Sequence, residues 1–218
     1  MDFRHPQHWT ARDQTWNYQC AECHSTDLQK NYDVTTDGYR TTWSEINVAC
    51  EACHGPGSAH ITWAQAAVQK ADSKIDADKG LVVDLSDRDG AVWTVDRDTG
   101  KPRRSRPREQ HTQIELCARC HSRRGQIWDD YRFGQPLTDT HRLALLDEHL
   151  YFPDGQIKDE VYVYGSFIQS RMYAEGVTCS DCHEPHSLKL RAKGNAVCTA
   201  CHVAAQFDTP AHHHHANG

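Results

Sequence analysis

The stretch Cys179–His202, "CSDCHEPHSLKLRAKGNAVCTACH", holds two copies of Cys-x-x-Cys-His whose first cysteines stand nineteen residues apart. Each copy offers two thiols and an imidazole within five residues. The same pentad occurs as Cys20, Cys23 and His24, as Cys50, Cys53 and His54, and as Cys117, Cys120 and His121. With Cys179, Cys182, His183 and Cys198, Cys201, His202 there are five copies, and they use all ten cysteines.

Three chemistries use paired cysteines. Zinc ribbons combine two Cys-x-x-Cys pairs into one four-thiolate site, and five pairs leave a remainder, although Cys3His or Cys2His2 sites can still be drawn. A disulfide framework explains neither the histidine nor the fixed two-residue gap. The histidine decides. Histidine is 16 of 218 residues, so finding it after all five pairs by chance has odds on the order of one in a million. Covalent c-type haem accounts for every element: two thioethers fix the porphyrin edge and the adjacent imidazole binds iron from the proximal side. The chain reads as carrying five c-type haems.

Composition agrees with that reading. Only 38% of residues are hydrophobic and the mean hydropathy is −0.79, too polar for a conventional core of this length. Porphyrins are expected to supply much of the apolar interior. The net charge of −6, made more negative by haem propionates, argues against nucleic acid as a partner. The basic run "KPRRSRPR" (Lys101–Arg108) is broken by two prolines and reads as a solvated loop before it reads as a docking patch. No apolar stretch reaches transmembrane length. Thioethers are formed outside the cytoplasm in bacterial systems, so a periplasmic or extracellular location is expected. With no leader in the sequence, a processed chain or a fragment of a longer one is expected.

The fold class expected is mainly α with much irregular structure, one compact domain over residues 1–218 built around five covalent haems. Helical turns should carry the pentads, because a turn of helix puts Cys i, Cys i+3 and His i+4 on one side. Helices are expected from Thr10 through "RDQTWNYQCAEC", from a Ser58 cap through "AHITWAQAAVQKA", near Gln110–Arg123, near Thr138–Leu150, from Ser166 until Gly176 stops it, and over Asn195–His202. One small β-hairpin insertion is expected at about residues 80–100, from Leu81–Leu85 and Ala91–Val95 around "SDRDG". The segments "DRDG" and "DRDTG" resemble calcium loops but lack the acidic residue twelve positions on, and are read as turns. So is "FPDGQ".

Five six-coordinate haems need five distal ligands. Methionine cannot supply them, since the two present are Met1 and Met172. Eleven histidines lie outside the pentads, so mostly bis-histidine ligation is expected, with lower potentials than Met/His ligation gives. His186 follows His183 by three residues and cannot wrap to the far face of the same ring. As a ligand it must serve another haem, and His60 of "CHGPGSAH" is in the same position. His111 ahead of the third pentad, His141, His8 beside Trp9, and one of His212, His213, His214 and His215 complete the candidates. His5 and His149 are set aside.

The segments "WNYQCAECHSTDLQKNYD", "TTWSEINVACEACHGPGSAH", "HTQIELCARCHSRRGQ" and "DEVYVYGSFIQSRMYAEGVTCSDCHEPHSLKLRAKGNAVCTACH" resemble the multihaem cytochrome c family whose longer members end in tetratricopeptide repeats. Its haem domain is similar to that of the tetrahaem cytochromes of ammonia oxidation. The resemblance covers most of the chain and is weakest over 71–108. It implies that His8, His60, His111, His141, His186 and the "AHHHH" run stand at family histidine positions. Longer members carry a further haem site before this region, another after it, and the repeats, none of which occurs here. Six histidine positions then meet five haems, so one is expected to ligate nothing here or to serve a neighbouring chain.

The function expected is electron transfer, with the haems as a multi-centre wire and redox proteins as partners, among them copies of itself or a longer multihaem assembly. No nucleophile or general-acid constellation is present, and Trp9, Trp16, Tyr18, Trp43, Trp128, Tyr162 and Tyr164 read as haem-packing residues. An oxidoreductase acting on a small nitrogen or sulfur oxyanion is the alternative. It needs an open haem lined by donors such as Arg123, Arg124 or Lys189, although the arginine pair reads first as a propionate anchor. A third reading is a subunit of a haem-stacked conducting filament.

Overall fold

The computed structural model describes residues 2–5, 8–11, 14–68, 78–83, 85–86, 88, 90–144 and 146–214. In chain order the elements are α1 (Trp16–Gln19), β1 (Tyr32–Asp33), β2 (Gly38–Tyr39), α2 (Cys50–His54), α3 (Ser58–Val68), β3 (Trp93–Val95) and β4 (Pro102–Arg104). There follow α4 (Thr112–His121), β5 (Arg124–Gln126), a 3-10 turn (Leu137–Asp139), β6 (His141–Leu143), α5 (Tyr164–Ile168) and α6 (Arg171–Ala174). The last are α7 (Cys179–Cys182), β7 (His183–Glu184), β8 (Lys189–Leu190), α8 (Ala196–Thr199), α9 (Ala204–Phe207) and α10 (Pro210–His213). Among the described residues only α3 and α4 are longer than five residues.

The chain divides into two compact units. The first is Met1–Asp84 with Glu115–Leu145, and the second is Leu85–Ile114 with Leu146–Gly218. The first therefore holds the pentads at Cys20, Cys50 and Cys117, and the second those at Cys179 and Cys198.

Where the sequence suggests one hairpin, the described residues form four two-stranded antiparallel ladders: β1–β2, β3–β4, β5–β6 and β7–β8. The hairpin between the second and third pentads pairs Trp93 with Arg104 and Val95 with Pro102, not Leu81–Leu85 with Ala91–Val95. Its turn is "DRDTG". The Asp96 carboxylate accepts from the backbone N–H groups of Asp98 and Thr99, and Gly100 takes the left-handed conformation at φ 65°. Val82 and Val83 are used elsewhere: they lie against Gly55 and Gly134 in the first unit, and Val83 is buried there. The first half of the basic run is likewise part of the hairpin, since Pro102–Arg104 is β4 and Arg103 pairs with Asp96 at 3.3 Å, while residues 105–108 are irregular.

The helix expected near Thr138–Leu150 does not form. Leu137 is buried and its N–H donates to Glu115 at 3.0 Å, which fixes a 3-10 turn. Beyond it His141–Leu143 is drawn into a ladder with Arg124–Gln126, and Thr140's carbonyl accepts from Ile127. The helix expected from Ser166 to Gly176 is two short ones. Ser170 breaks it by capping α6, its hydroxyl accepting from the Tyr173 N–H at 3.1 Å. Gly176, at φ 93°, ends α6 as the sequence suggests. Of the first helix only Trp16–Gln19 is formed, and residues 12 and 13 lie outside the described set. The expected continuation of α3 over 69–71 lies outside it too.

Candidate haem-attachment sites

Each pentad forms a turn of helix. Those at Cys50 and Cys117 lie inside α2 and α4. In the other three the histidine N–H donates to the carbonyl of the first cysteine: His24 to Cys20, His183 to Cys179, His202 to Cys198. That i to i+4 bond brings two thiols and one imidazole to the same side of the backbone. All ten thiols are unbridged, with Cys20, Cys50, Cys53 and Cys198 exposed. Among the described residues no three His, Cys, Asp or Glu side chains converge as a metal site. The donor set of each pentad suits thioether attachment with a proximal imidazole.

In the first unit the pentads at Cys20 and Cys117 are built alike. The sequences are Cys-Ala-Glu-Cys-His-Ser (20–25) and Cys-Ala-Arg-Cys-His-Ser (117–122). Both alanines are buried, both serines are buried, and each serine hydroxyl donates to its alanine carbonyl at 2.6 Å. The two turns face each other. Cys23 Sγ is 3.9 Å from the Cys120 carbonyl oxygen, and Glu22 accepts from Arg119 at 3.4 Å. Arg124 reaches the other Glu22 oxygen at 3.0 Å, and His141 Nε2 lies 2.8 Å from Oε1. Burial alone would raise Glu22, but the His141 hydrogen bond and the charges of Arg124, His141 and Arg119 outweigh it and hold the carboxyl at about 2. Arg119 in turn lies over the Tyr131 ring at 4.4 Å. The Cys50 pentad is tied to the first by Thr26, whose hydroxyl accepts from the Ala49 N–H at 2.9 Å and donates to Asn47. An open cleft of about 610 Å³ nearby is lined by residues that include Trp128, Tyr131 and Phe133.

In the second unit α7 is a capped attachment turn. Thr178 and Asp181 form a reciprocal capping box, and Arg88 binds Asp181 at 3.1 Å. The Ser180 N–H donates to Gln113 at 3.0 Å, and Arg191 donates to the Ser180 carbonyl. Burial pushes the Cys182 thiol up, aided by Asp181, Cys201 and Cys198. The His202 ring meets Phe207 edge to face at 4.7 Å, and Phe207 meets His212 at 4.9 Å.

The remaining histidines fall into a pattern that sequence could not supply. The Nδ1 atom of His8 is 2.8 Å from Thr10 Oγ1, that of His60 is 2.8 Å from the Lys79 carbonyl, that of His111 is 3.0 Å from Tyr173 Oη, and that of His186 is 3.4 Å from Glu184 Oε1. Where Nδ1–H donates to a protein oxygen, as to the Lys79 carbonyl at His60, Nε2 is left for a metal; at His8 the Nδ1 atom also takes the Thr10 N–H at 3.3 Å. His60 also stacks on Trp63, with ring centroids 5.4 Å apart. His141 differs, being enclosed with both nitrogens engaged. His213 contributes backbone to α10, His214 is its left-handed C-cap, and His215 lies outside the described residues. Arg124, read from sequence as a donor at an open haem or a propionate anchor, is committed to Glu22, the Arg119 carbonyl and Cys23.

Gly80 sets the His60 contact. It sits at φ 68°, and a Cβ there would stand 2.7 Å from the Ala59 carbonyl oxygen and 2.9 Å from the His60 nitrogen. Gly80→Ala is expected to displace the Lys79 carbonyl from His60. In denaturant melts followed by circular dichroism it should lower stability by more than about 1 kcal/mol.

Residues 172–207 match the doubled CXXCH motif family, and residues 4–55 match the family of cytochrome c554 and c-prime. The chain is a multihaem cytochrome c. The two matches support c-type haem as its cofactor. A solved structure described as the outer cell wall cytochrome OcwA is 18% identical with a TM-score of 0.46. That match covers 87% of this cytochrome and 40% of OcwA, so this chain spans about two-fifths of the other's length. No curated protein sequence matches this cytochrome.

Proposed function

We propose that this cytochrome is a pentahaem electron-transfer protein with mostly bis-histidine haems, acting as a multi-centre wire between redox partner proteins outside the cytoplasm. What supports it is the presence of five helical-turn pentads together with His8, His60, His111 and His186, each held through Nδ1. One histidine of the run His212–His215 completes five ligands for five sites.

Haem supplies reversible one-electron chemistry, and the chain sets where that chemistry sits. Cys20, Cys23, Cys50, Cys53, Cys117, Cys120, Cys179, Cys182, Cys198 and Cys201 would anchor the porphyrins, with His24, His54, His121, His183 and His202 as proximal ligands. The Cys23–Cys120 approach and the Glu22–Arg119 pair hold the first and third attachment turns together. The capping box and Arg88 hold the fourth. Imidazole on both faces favours low potentials. Among the described residues no helix is long and apolar enough to cross a membrane, and periplasmic or extracellular residence is inferred from where thioethers are made.

Intact mass tests the count directly. The polypeptide of 24.8 kDa should carry five haem masses that survive acid-acetone extraction, and reductive titration should resolve several midpoint potentials. Fewer than five haems, or zinc in their place, would overturn this reading.

A further inference from the structure

Six histidine positions are available for five attachment sites, and the geometry distinguishes one of them. We propose that His141 binds no iron and is instead a positioning residue, the hub of a buried charged cluster that locks the first attachment turn to the third. The inference rests on the pentahaem reading.

A ligand to iron needs an imidazole nitrogen with an available lone pair. His141 has none to give. Its Nε2 is 2.8 Å from Glu22 Oε1, its Nδ1 is 2.8 Å from Thr140 Oγ1, and its side chain is 0% exposed. In the neutral ring Nε2–H donates to the carboxylate and Nδ1 accepts the threonine hydroxyl. In the imidazolium both nitrogens donate. Neither form leaves a nitrogen for a metal.

Turning His141 outward is also unfavourable. Its departure would take one hydrogen-bond donor from the buried Glu22 carboxylate and leave Thr140 Oγ1 without its ring partner, and buried polar groups are costly to strand. The ladder β5–β6 fixes the ring from behind, pairing His141 with Gln126 and Arg124 with Leu143, so two members of the cluster come from facing strands. The other two, Glu22 and Arg119, are the third residues of the first and third pentads. One carboxylate and two guanidinium groups thus meet between two attachment turns. His141 fixes where the carboxylate sits, and so the field those two haems experience.

The test uses the haem-loaded full chain with His141→Ala and His141→Gln. Intact mass, the electron paramagnetic resonance spectrum, the carbon monoxide difference spectrum of the reduced protein, and spectropotentiometry are recorded for each. Both variants should keep every haem low-spin and bind no more carbon monoxide than the unmodified chain. His141→Ala should shift one or two of the midpoint potentials. His141→Gln, whose amide can donate to Glu22, should return them toward the original values. A new high-spin, carbon monoxide-binding haem in either variant would make His141 a ligand and overturn the proposal. Potentials unchanged in both variants would overturn the positioning role. If His141→Ala does not fold, His141→Gln alone decides by the same spin-state readout. A haem count below five in the unmodified chain would defeat the pentahaem reading separately, because mass and spin state are measured independently.

Discussion

With all ten cysteines replaced by serine, the chain is expected to lose most of its helical circular dichroism and to give a collapsed, poorly dispersed proton spectrum. Its own apolar core is small. The buried hydrophobic residues among those described are Ala21, Leu28, Val83, Ile114, Leu116, Ala118, Leu137, Tyr151 and Val161, of which two are alanine. Trp9, Trp43, Trp128, Ile61 and Val68 stay exposed. Helices of four or five residues such as α1, α7 and α8 cannot sustain themselves below about 12 residues without packing. Covalent porphyrins add the missing apolar area at about 25 cal/mol per Å² buried. A cooperative melt and a dispersed spectrum from the serine variant would show that the polypeptide folds without them.

Replacing His186 with alanine is expected to convert one low-spin haem into a high-spin haem that binds carbon monoxide, while the haem on Cys179 and Cys182 stays six-coordinate. His186 sits on the turn between β7 and β8, and that ladder pairs His183 with Leu190. Both histidines are thereby fixed on one small hairpin, and the three-residue interval cannot carry the second imidazole around the first one's ring. Glu184 holds Nδ1 and is itself held by the Ser187 N–H at 2.7 Å. Glu184→Ala should therefore shift a potential without opening a coordination site. An unchanged spectrum in His186→Ala would remove His186 from the ligand set.

What sequence reveals here is local. The pentads, the helix over the third of them, the Gly176 stop and the turns at "DRDTG" and "FPDGQ" are each set by residues within a few positions of one another. The β3–β4 register was not legible, because "SDRDG" and "DRDTG" are equivalent turn signals and the choice falls to where Val82 and Val83 pack. The failed helix after Thr138 has a similar cause. The segment's composition suits a helix, but Arg124–Gln126 claims its backbone as a strand partner. The charged cluster joins residues 97 and 119 positions apart, beyond any periodicity. One signal was present, though: the hexads Cys-Ala-Glu-Cys-His-Ser and Cys-Ala-Arg-Cys-His-Ser differ only at the third residue, where the charges are opposite.

The interleaving of the two units has a kinetic consequence. The first attachment turn emerges early in synthesis, yet Arg119, Arg124 and His141 lie a hundred residues or so downstream. Closing a loop of that length costs about 4 kcal/mol in chain entropy, and such long-range contacts form late. Glu22 must therefore wait, solvated and unpaired, until translation has passed the sixth strand. A truncation ending before Glu115 would contain two complete Cys-x-x-Cys-His sites but none of these partners, so it should not fold as a smaller cytochrome.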